Sequence, residues 1–457
     1  MLHLNEIRRE FKPMLLLAVP LVLTELSWLM MGFVDTIMVG HLPNSAAAIG
    51  AVSLGTTLFY TIGIFGSSIM LGLDTLVSQA YGARRLEECH RNLFNALYFA
   101  LALSPAMMLV LFVGMPLLDH FGIESSVLAL TKPFIRALNW STLPLTLYFV
   151  LRRYLQSMDI VKPAVFTLIS ANLLNLLGNW TFVYGHFGFP ALGVIGSGWS
   201  TCISRVYMVV VLAVAAVYYD RKRSSGLWKA PRQLELDRIR TLLRYGLPAA
   251  LQFLLEISAF TAATVLIARV GAVALAGHQI ALNVASLTYM VPTGISSAAA
   301  VRVGQAVGAR DIHGASRAGW TALLFGVGFM SCSALVLFFF PEAIARIYSS
   351  QLGVIRAGAT LLMVAAVFQL FDGTQVVVTG ALRGAGNTHT PMLAHFFGYW
   401  LVGVPLGAFL CFKMKMGPVG FWTGLCAALV LIGSLLLVVW YRFTRHSAME
   451  ARQMMGV

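Results

Sequence analysis

Charge is what this sequence has least of. Of its 457 residues only 11% are Asp, Glu, Lys or Arg, whereas 58% are hydrophobic. A soluble domain carries about 25% charged and roughly 45–50% apolar residues. So small a polar stock cannot cover a water-facing surface of this length, so most of the outer surface faces lipid. Cysteine is nearly missing as well. Cys89, Cys202, Cys332, Cys411 and Cys426 form no CxxC pair, which excludes a disulfide framework and a cysteine zinc site; they read as small buried hydrophobes. The chain contains no GxxxxGKS/T, no HExxH and no GxSxG, so P-loop ATP hydrolysis, zincin chemistry and nucleophile-elbow hydrolysis drop out. His278, His389 and His395 are scattered without metal-ligand spacing. No cofactor is expected, and the protein is not expected to be an enzyme.

What is present is apolar length. Runs long enough to cross a bilayer recur at about 13–39, 47–78, 91–115, 127–151, 163–184, 191–219, 241–269, 273–301, 315–340, 352–382, 391–412 and 418–441. Backbone groups in hydrocarbon must pair internally and the runs far exceed a barrel strand, so twelve transmembrane helices are expected. Arg8, Arg9 and Lys12 precede a first run longer than the roughly 7–15-residue core of a secretory signal; it is expected to be retained as a helix.

The surplus of base, a formal net charge of +14, lies in short segments between the runs. With the N-terminus inside, 24 of the 32 Lys and Arg fall on the inward side, among them Arg84, Arg85, Arg91, Arg152, Arg153 and Lys162. Seven fall outward: Lys132, Arg136, Arg269, Arg346, Arg356, Lys413 and Lys415. This bias predicts both termini in the cytoplasm. It is a topology signal rather than a nucleic-acid patch, because no aromatic-basic module accompanies it. Arg205 alone falls clearly inside a span.

The two halves resemble each other. Gln79-Ala80-Tyr81-Gly82-Ala83-Arg84 closes span two and Gln305-Ala306-Val307-Gly308-Ala309-Arg310 closes span eight. Pro20 and Pro248 occupy matching places 228 positions apart, as do Pro163 and Pro391, and Gly193-Val194-Ile195-Gly196 is echoed by Gly417-Pro418-Val419-Gly420. Repeats of six spans enter the membrane from the same side, so they are parallel repeats about an axis along the membrane normal. The expected architecture is an all-α integral membrane protein of two pseudo-symmetric six-helix bundles: an N-lobe at 1–219, a charged cytoplasmic linker at 220–240 and a C-lobe at 241–457.

Few acids lie within the spans. Asp35 sits in span one, Glu256 one turn after Gln252 in span seven, and Asp372 deep in span ten; Glu25 is a fourth candidate in span one. A charge at mid-bilayer costs about 2.5–3.5 kcal/mol on insertion scales. Such acids are either bonded to neighbouring helices or form cation or proton sites. Polar stripes accompany them at helical spacing: Gln369, Asp372, Gln375 and Thr379 in span ten; Asn172, Asn175 and Asn179 in span five; Gln279, Asn283 and Ser286 in span eight. Three stripes beside three carboxyls point to a hydrated cavity in each lobe, with Met31, Met38, Met290, Phe260 and Phe368 nearby as soft and aromatic contacts for apolar cations.

Taken in order, Gly32-Phe33-Val34-Asp35-Thr36-Ile37-Met38, Gln79 to Arg84, Asn175 to Gly185, Leu255-Glu256 and Ala381-Leu382-Arg383-Gly384 give the chain a pattern that resembles the multidrug and toxic compound extrusion (MATE) family, in its NorM-like bacterial branch, over essentially the whole length. The resemblance implies a V-shaped pair of six-helix bundles in the bacterial inner membrane that exports organic cations in exchange for Na⁺ or H⁺. It implies that Asp35, with Asn175 and Asn179, matches the N-lobe carboxylate associated with protonation. Glu256 and Asp372 match a C-lobe cation site able to take Na⁺, with Gln279 and Asn283 as polar neighbours. Glu25 departs from the pattern, where Gln is expected. A monomer is the default. The alternative within the superfamily, a flippase for lipid-linked precursors, calls for a cationic cleft, and only Arg205 supplies intramembrane base.

Overall fold

The computed structural model describes residues 4–43, 45–120 and 122–454. The side chains of Arg8 and Arg452, both counted in the charge bias, lie outside the described residues. Among the described residues every regular element is helical. The first repeat comprises α1 (Leu4–Val39), α2 (Ser45–Ile69), α3 (Gly72–Gly82), α4 (Leu86–Gly114), α5 (Ser125–Asn139), α6 (Thr142–Ser157), α7 (Lys162–Tyr184) and α8 (Val194–Arg223). The second comprises α9 (Leu236–Ala268), α10 (Ala272–Gly308), α11 (Ile312–Phe339), the short α12 (Pro341–Tyr348), α13 (Leu352–Gly384), α14 (His389–His395), α15 (Val404–Ala408) and α16 (Gly417–Met454). Wide π-type turns at Phe396–Gly403 and Phe409–Lys413 join α14 and α15 into one path across His389–Lys413.

Ten of these paths are long and apolar enough to cross a membrane. The two remaining expected spans depart for identifiable reasons. Helix α7 has 23 residues, enough for a crossing, but three asparagines dilute its apolarity. The stretch expected at 127–151 is not one helix: it divides at Trp140–Ser141 into α5 and α6. Side chains such as Leu16, Val113, Phe166, Leu173, Val214 and Val265 stand more than half exposed, the surface that hydrocarbon covers. The protein is a multi-pass membrane protein.

The helices cluster into two compact units. One holds residues 23–250, the other 1–22 with 251–457. The division falls two residues beyond Pro20 in α1 and two residues beyond Pro248 in α9, so it too repeats at 228 positions. Proline supplies no N–H and weakens the helix where it sits. The first stretch of α1 is held in its unit by Arg302, whose Nε and Nη2 donate to the two Glu10 carboxylate oxygens at 2.8 and 3.0 Å, and by Phe11 packed edge-on to Phe325. The first stretch of α9 is held in the other unit. There Arg238 donates to both Glu88 oxygens at 2.8 and 3.1 Å.

The charged linker is a fixed strap rather than a free loop. The Glu235 amide donates to Asn95 Oδ1 at 2.7 Å, Tyr98 donates to the Arg232 carbonyl at 2.8 Å, and Arg91 holds both Glu235 oxygens at 2.8 and 3.0 Å. The hydrogen bond from Arg91 keeps the Glu235 carboxyl below its usual range.

Arg152 and Arg153, expected in an inward-facing segment, instead lie within α6 and are buried. Each has found a carboxylate: Arg152 pairs with Glu25, and Arg153 Nη1 with Asp74 Oδ2 at 3.4 Å. The positive-inside count cannot distinguish a loop arginine from one turned into the helix bundle.

Gly246 in α9 packs so closely on α2 that a Cβ there would collide with the Ile69 carbonyl oxygen, whereas Gly32 in α1 has nothing within 4 Å. Gly246→Ala is therefore expected to destabilise by about 1–3 kcal/mol, lowering the midpoint of thermal unfolding in detergent. Gly32→Ala is expected to leave it unchanged or raise it.

Candidate functional site

Each unit holds a buried acidic centre. In the first, Asp35 lies on α1 at 9% exposure and accepts three hydrogen bonds. Asn175 Nδ2 and Asn179 Nδ2, one turn apart on α7, donate to Oδ1 at 3.1 and 2.8 Å. Thr201 Oγ1, on α8, donates to Oδ2 at 2.8 Å. Both asparagines are fully buried. Ser200 Oγ donates to the Asn175 carbonyl at 2.8 Å, so α8 grips α7 beside the carboxylate. A side chain on Gly178 would collide with Ser200; the close approach of α7 and α8 depends on that glycine.

Arg205, one turn beyond Thr201 on α8, is also buried. Its Nη1 donates to Ser141 Oγ at 2.5 Å, just past the break between α5 and α6, and its Nη2 donates to Tyr60 at 3.0 Å. The guanidinium lies over the rings of Phe59, Tyr60 and Trp28 at 4.8, 5.6 and 6.0 Å. Aromatic faces and two hydroxyls thus stand in for a counter-ion in contact.

In the second unit, Glu256 on α9 and Asp372 on α13 share one amide. Gln375 Nε2 stands 3.3 Å from Glu256 Oε1 and 3.3 Å from Asp372 Oδ1. Tyr289 on α10 donates to Glu256 Oε2 at 3.4 Å. His395, at the end of α14 where the π-type turn begins, places Nε2 3.7 Å from the same oxygen. Its Nδ1 donates to the Pro391 carbonyl at 2.8 Å, so a neutral ring presents the Nε2 lone pair and a protonated ring presents a donor. Gln252 Nε2 reaches His395 Nε2 at 3.4 Å. Two carboxylates bound to one donor repel unless a proton or a cation lies with them. The orphaned polar atoms beside them include the acceptors Gln375 Oε1 and Gln369 Oε1. Oxygen without a donor is what a hard cation requires. Among the described residues no group of three or more His, Cys, Asp or Glu is arranged to hold a metal ion, so Na⁺ there would be met by two carboxylates and amide oxygens.

The MatE family model matches twice, over residues 20–181 and 248–409, and the two matches are displaced by the same 228 positions as the prolines. The chain belongs to the MATE family. It is a membrane transporter, not an enzyme. A relative from Mesorhizobium japonicum, named "Probable multidrug resistance protein NorM", is 36% identical over 445 residues, 96% of this chain and 95% of that protein. One from Brucella suis with the same name is 35% identical over 452 residues, 97% and 95% of the two chains. A crystal structure of a eukaryotic MATE transporter superimposes with a TM-score of 0.85 at 20% identity, covering 97% of this chain and 99% of that one; it shares the fold.

Of the residues singled out in the sequence, the structure gathers Asp35 with Asn175 and Asn179, and Glu256 with Asp372 and Gln375. Gln369 is buried and donates to Thr288 Oγ1 at 2.9 Å. Asn172 donates to the Ser27 carbonyl at 2.9 Å. Gln279 and Asn283 are exposed, and the Asn283 amide turns back onto the Gln279 carbonyl in its own helix; neither joins the carboxylate pair. Glu25 is not in the Asp35 centre but on Arg152. Thr201, Tyr289 and the acid Asp74 join these centres without being singled out by the sequence pattern, and His395, which the sequence marks only as lacking metal-ligand spacing, stands against Glu256. Asp74 lies in α3, a few residues from the end of span two, and its polar spacing with Ser78 was the available signal. His278, by contrast, accepts from Trp422 Nε1 at 3.0 Å through Nδ1 and meets Thr264 Oγ1 at 2.8 Å through Nε2, a satisfied neutral ring with a packing role.

The Thr201 hydroxyl bonded to Asp35 is expected to show as energetic coupling. A double-mutant cycle of Thr201→Val and Asp35→Asn, read by thermal unfolding in detergent at pH 8, should return a coupling of about 1 kcal/mol or more. Strict additivity would mean that the hydroxyl does not bear on the carboxylate.

Proposed function

We propose that this transporter is a secondary active antiporter that exports cationic amphipathic drugs or other toxic organic compounds in exchange for Na⁺ or H⁺, alternating access between two six-helix lobes. The observation that carries the reading is the Glu256–Asp372 pair: two buried carboxylates on one shared amide, beside orphaned amide oxygens and, among the described residues, without an arginine bonded to either. A pair of that kind takes up a cation or a proton. An organic cation entering the same field competes with it, directly or through the conformation of the lobe, and competition links influx of one to efflux of the other. One charge crossing 100 mV supplies about 2.3 kcal/mol, equivalent to a gradient of several tens-fold. Asp35 with Asn175, Asn179 and Thr201 is the corresponding centre of the N-lobe. The names of the curated bacterial relatives support multidrug efflux across the inner membrane, and the charge bias supports both termini in the cytoplasm; a monomer is the default.

The flippase reading is weaker here. Its anionic substrate calls for unpaired base lining a cleft, whereas Arg152 and Arg153 are paired with Glu25 and Asp74 and Arg205 is turned onto aromatic rings.

Efflux of a fluorescent organic cation from proteoliposomes, with Na⁺ and H⁺ gradients imposed separately, tests the antiporter. Glu256→Gln and Asp372→Asn are each expected to lower gradient-driven efflux by about tenfold or more while the protein stays folded. Wild-type efflux rates from well-folded Asp372→Asn would sink the assignment.

A further inference from the structure

The basic linker carries charge that the acidic centres do not use. Between Asp220 and Arg244 stand eight bases and three acids, and two of the acids are already engaged. Asp220 is buried and accepts from Ser225 Oγ at 2.6 Å and from the Leu227 amide at 2.8 Å. Glu235 is held by Arg91 and Arg238. The third, Asp237, is exposed, and beside the strap Glu87 on α4 is exposed 3.9 Å from Arg91. Among the described residues no carboxylate is paired with Arg221, Lys222, Lys229, Arg232, Arg240 or Arg244, and all six are exposed. The summed field of such a face attracts anions.

The strap lies where the lipid-facing belt of the first repeat ends. It crosses the flank of α4 between Arg91 and Tyr98, where the main chain of Arg232, Gln233 and Glu235 is held. Between Leu86 and Tyr98 no large hydrophobic side chain of α4 is exposed. Leu101, three residues past Tyr98 and about 4.5 Å further along the helix, is 48% exposed, and Leu109, Val110, Phe112 and Val113 follow. The belt ends in the same way on α8: Val210, Val214 and Tyr218 are exposed, and Arg221 and Lys222 come next. Lys222 Nζ stands 6.0 Å from the centre of the Tyr218 ring. This is the level of the headgroups, where Trp and Tyr collect. The strap itself has two faces. Leu227 and Ala230 are buried, whereas Trp228, Lys229, Arg232 and Leu234 are exposed. The Arg232 guanidinium lies 4.9 Å from the Trp228 ring and 5.6 Å from the Phe94 ring, so it is set in place before anything binds.

We infer that this strap is a docking site for anionic phospholipid of the surrounding bilayer. Arg232 and Lys229 meet the headgroup phosphate, Arg221 and Lys222 add to the attracting field, and Trp228 and Leu234 enter the boundary between headgroups and acyl chains. A guanidinium fixed on an aromatic face presents its N–H fork to phosphate oxygens at little further cost in order. The occupant is bilayer lipid rather than soluble phosphate, because exposed apolar side chains stand among the bases and because the lipid-facing belts of α4 and α8 end at the strap. Bound lipid holds the linker against α4. The site is separate from the acidic centres and requires neither the exported compound nor the coupling ion.

The test uses the full chain in nonionic detergent, titrated with phosphatidylglycerol or phosphatidylcholine, with the lipid adducts counted by native mass spectrometry. The tightest phosphatidylglycerol adduct is expected to bind about tenfold or more tightly than phosphatidylcholine. Lys229→Gln combined with Arg232→Gln is expected to weaken it by about tenfold, leaving phosphatidylcholine binding and the unfolding temperature in lipid-free detergent unchanged. Trp228→Ala, which alters no charge, is expected to weaken it by about two- to fivefold. Arg442→Gln combined with Arg445→Gln removes two exposed bases from the other compact unit and is expected to change it by less than about twofold. Equal losses from the two double variants would overturn the site in favour of a diffuse field. Displacement of the lipid by inorganic phosphate at equal concentration would overturn the choice of lipid as occupant. Unchanged phosphatidylglycerol binding in the folded Lys229, Arg232 double variant would overturn the proposal outright.

Discussion

A carboxylate carried into hydrocarbon must be compensated or neutralised, because removing an ion from water costs several kcal/mol even after the protein relaxes. The described interior answers that constraint in three ways. Glu25 and Asp74 are each given an arginine, Arg152 and Arg153, from adjacent positions of α6. Asp35 is given three neutral donors on two helices. Glu256 and Asp372 are given one amide between them, the Tyr289 phenol at 3.4 Å and the His395 ring at 3.7 Å. The last arrangement is the least compensated, which is why the proposed coupling ion is assigned there.

The two repeats share a skeleton but not their charges. At the offset of 228 positions that relates the prolines and the two family matches, Glu256 corresponds to Trp28, and Asp35 corresponds to Ala263. Trp28 sits under Arg205 and stacks on Tyr148; Ala263 is fully buried in α9. Symmetry therefore supplies two similar bundles, and substitution within each places one acidic centre at a different height on its first helix. A transporter with two unlike centres can bind ion and substrate in unlike ways, which two copies of one site could not do.

Much of this was legible in the sequence. Apolar length and the scarcity of charge determine the helices, and the paired prolines and glycines mark the repeat, because both are local signals. The stripe Gln369, Asp372, Gln375 and Thr379 is buried throughout, as its spacing beside an acid indicates. The stripe Gln279, Asn283 and Ser286 has the same period but lies outside the centre, since period assigns residues to one face without saying what that face meets. Thr201, Tyr289 and His395 were not legible, for each reaches its carboxylate from a helix far away in the chain. Arg152 and Arg153 misled for a related reason: near the end of a span, base reads as topology until its partner on another helix is known.

The central claim is that a buried carboxylate centre holds either a small cation or an organic one. The most direct measurement is the release of protons or Na⁺ when an organic cation is titrated into the purified, detergent-solubilised protein, with no membrane and no gradient. The account predicts release of about one monovalent cation per organic cation bound, lost in the Glu256→Gln, Asp372→Asn double variant. Binding of the organic cation with no release of either ion would contradict it.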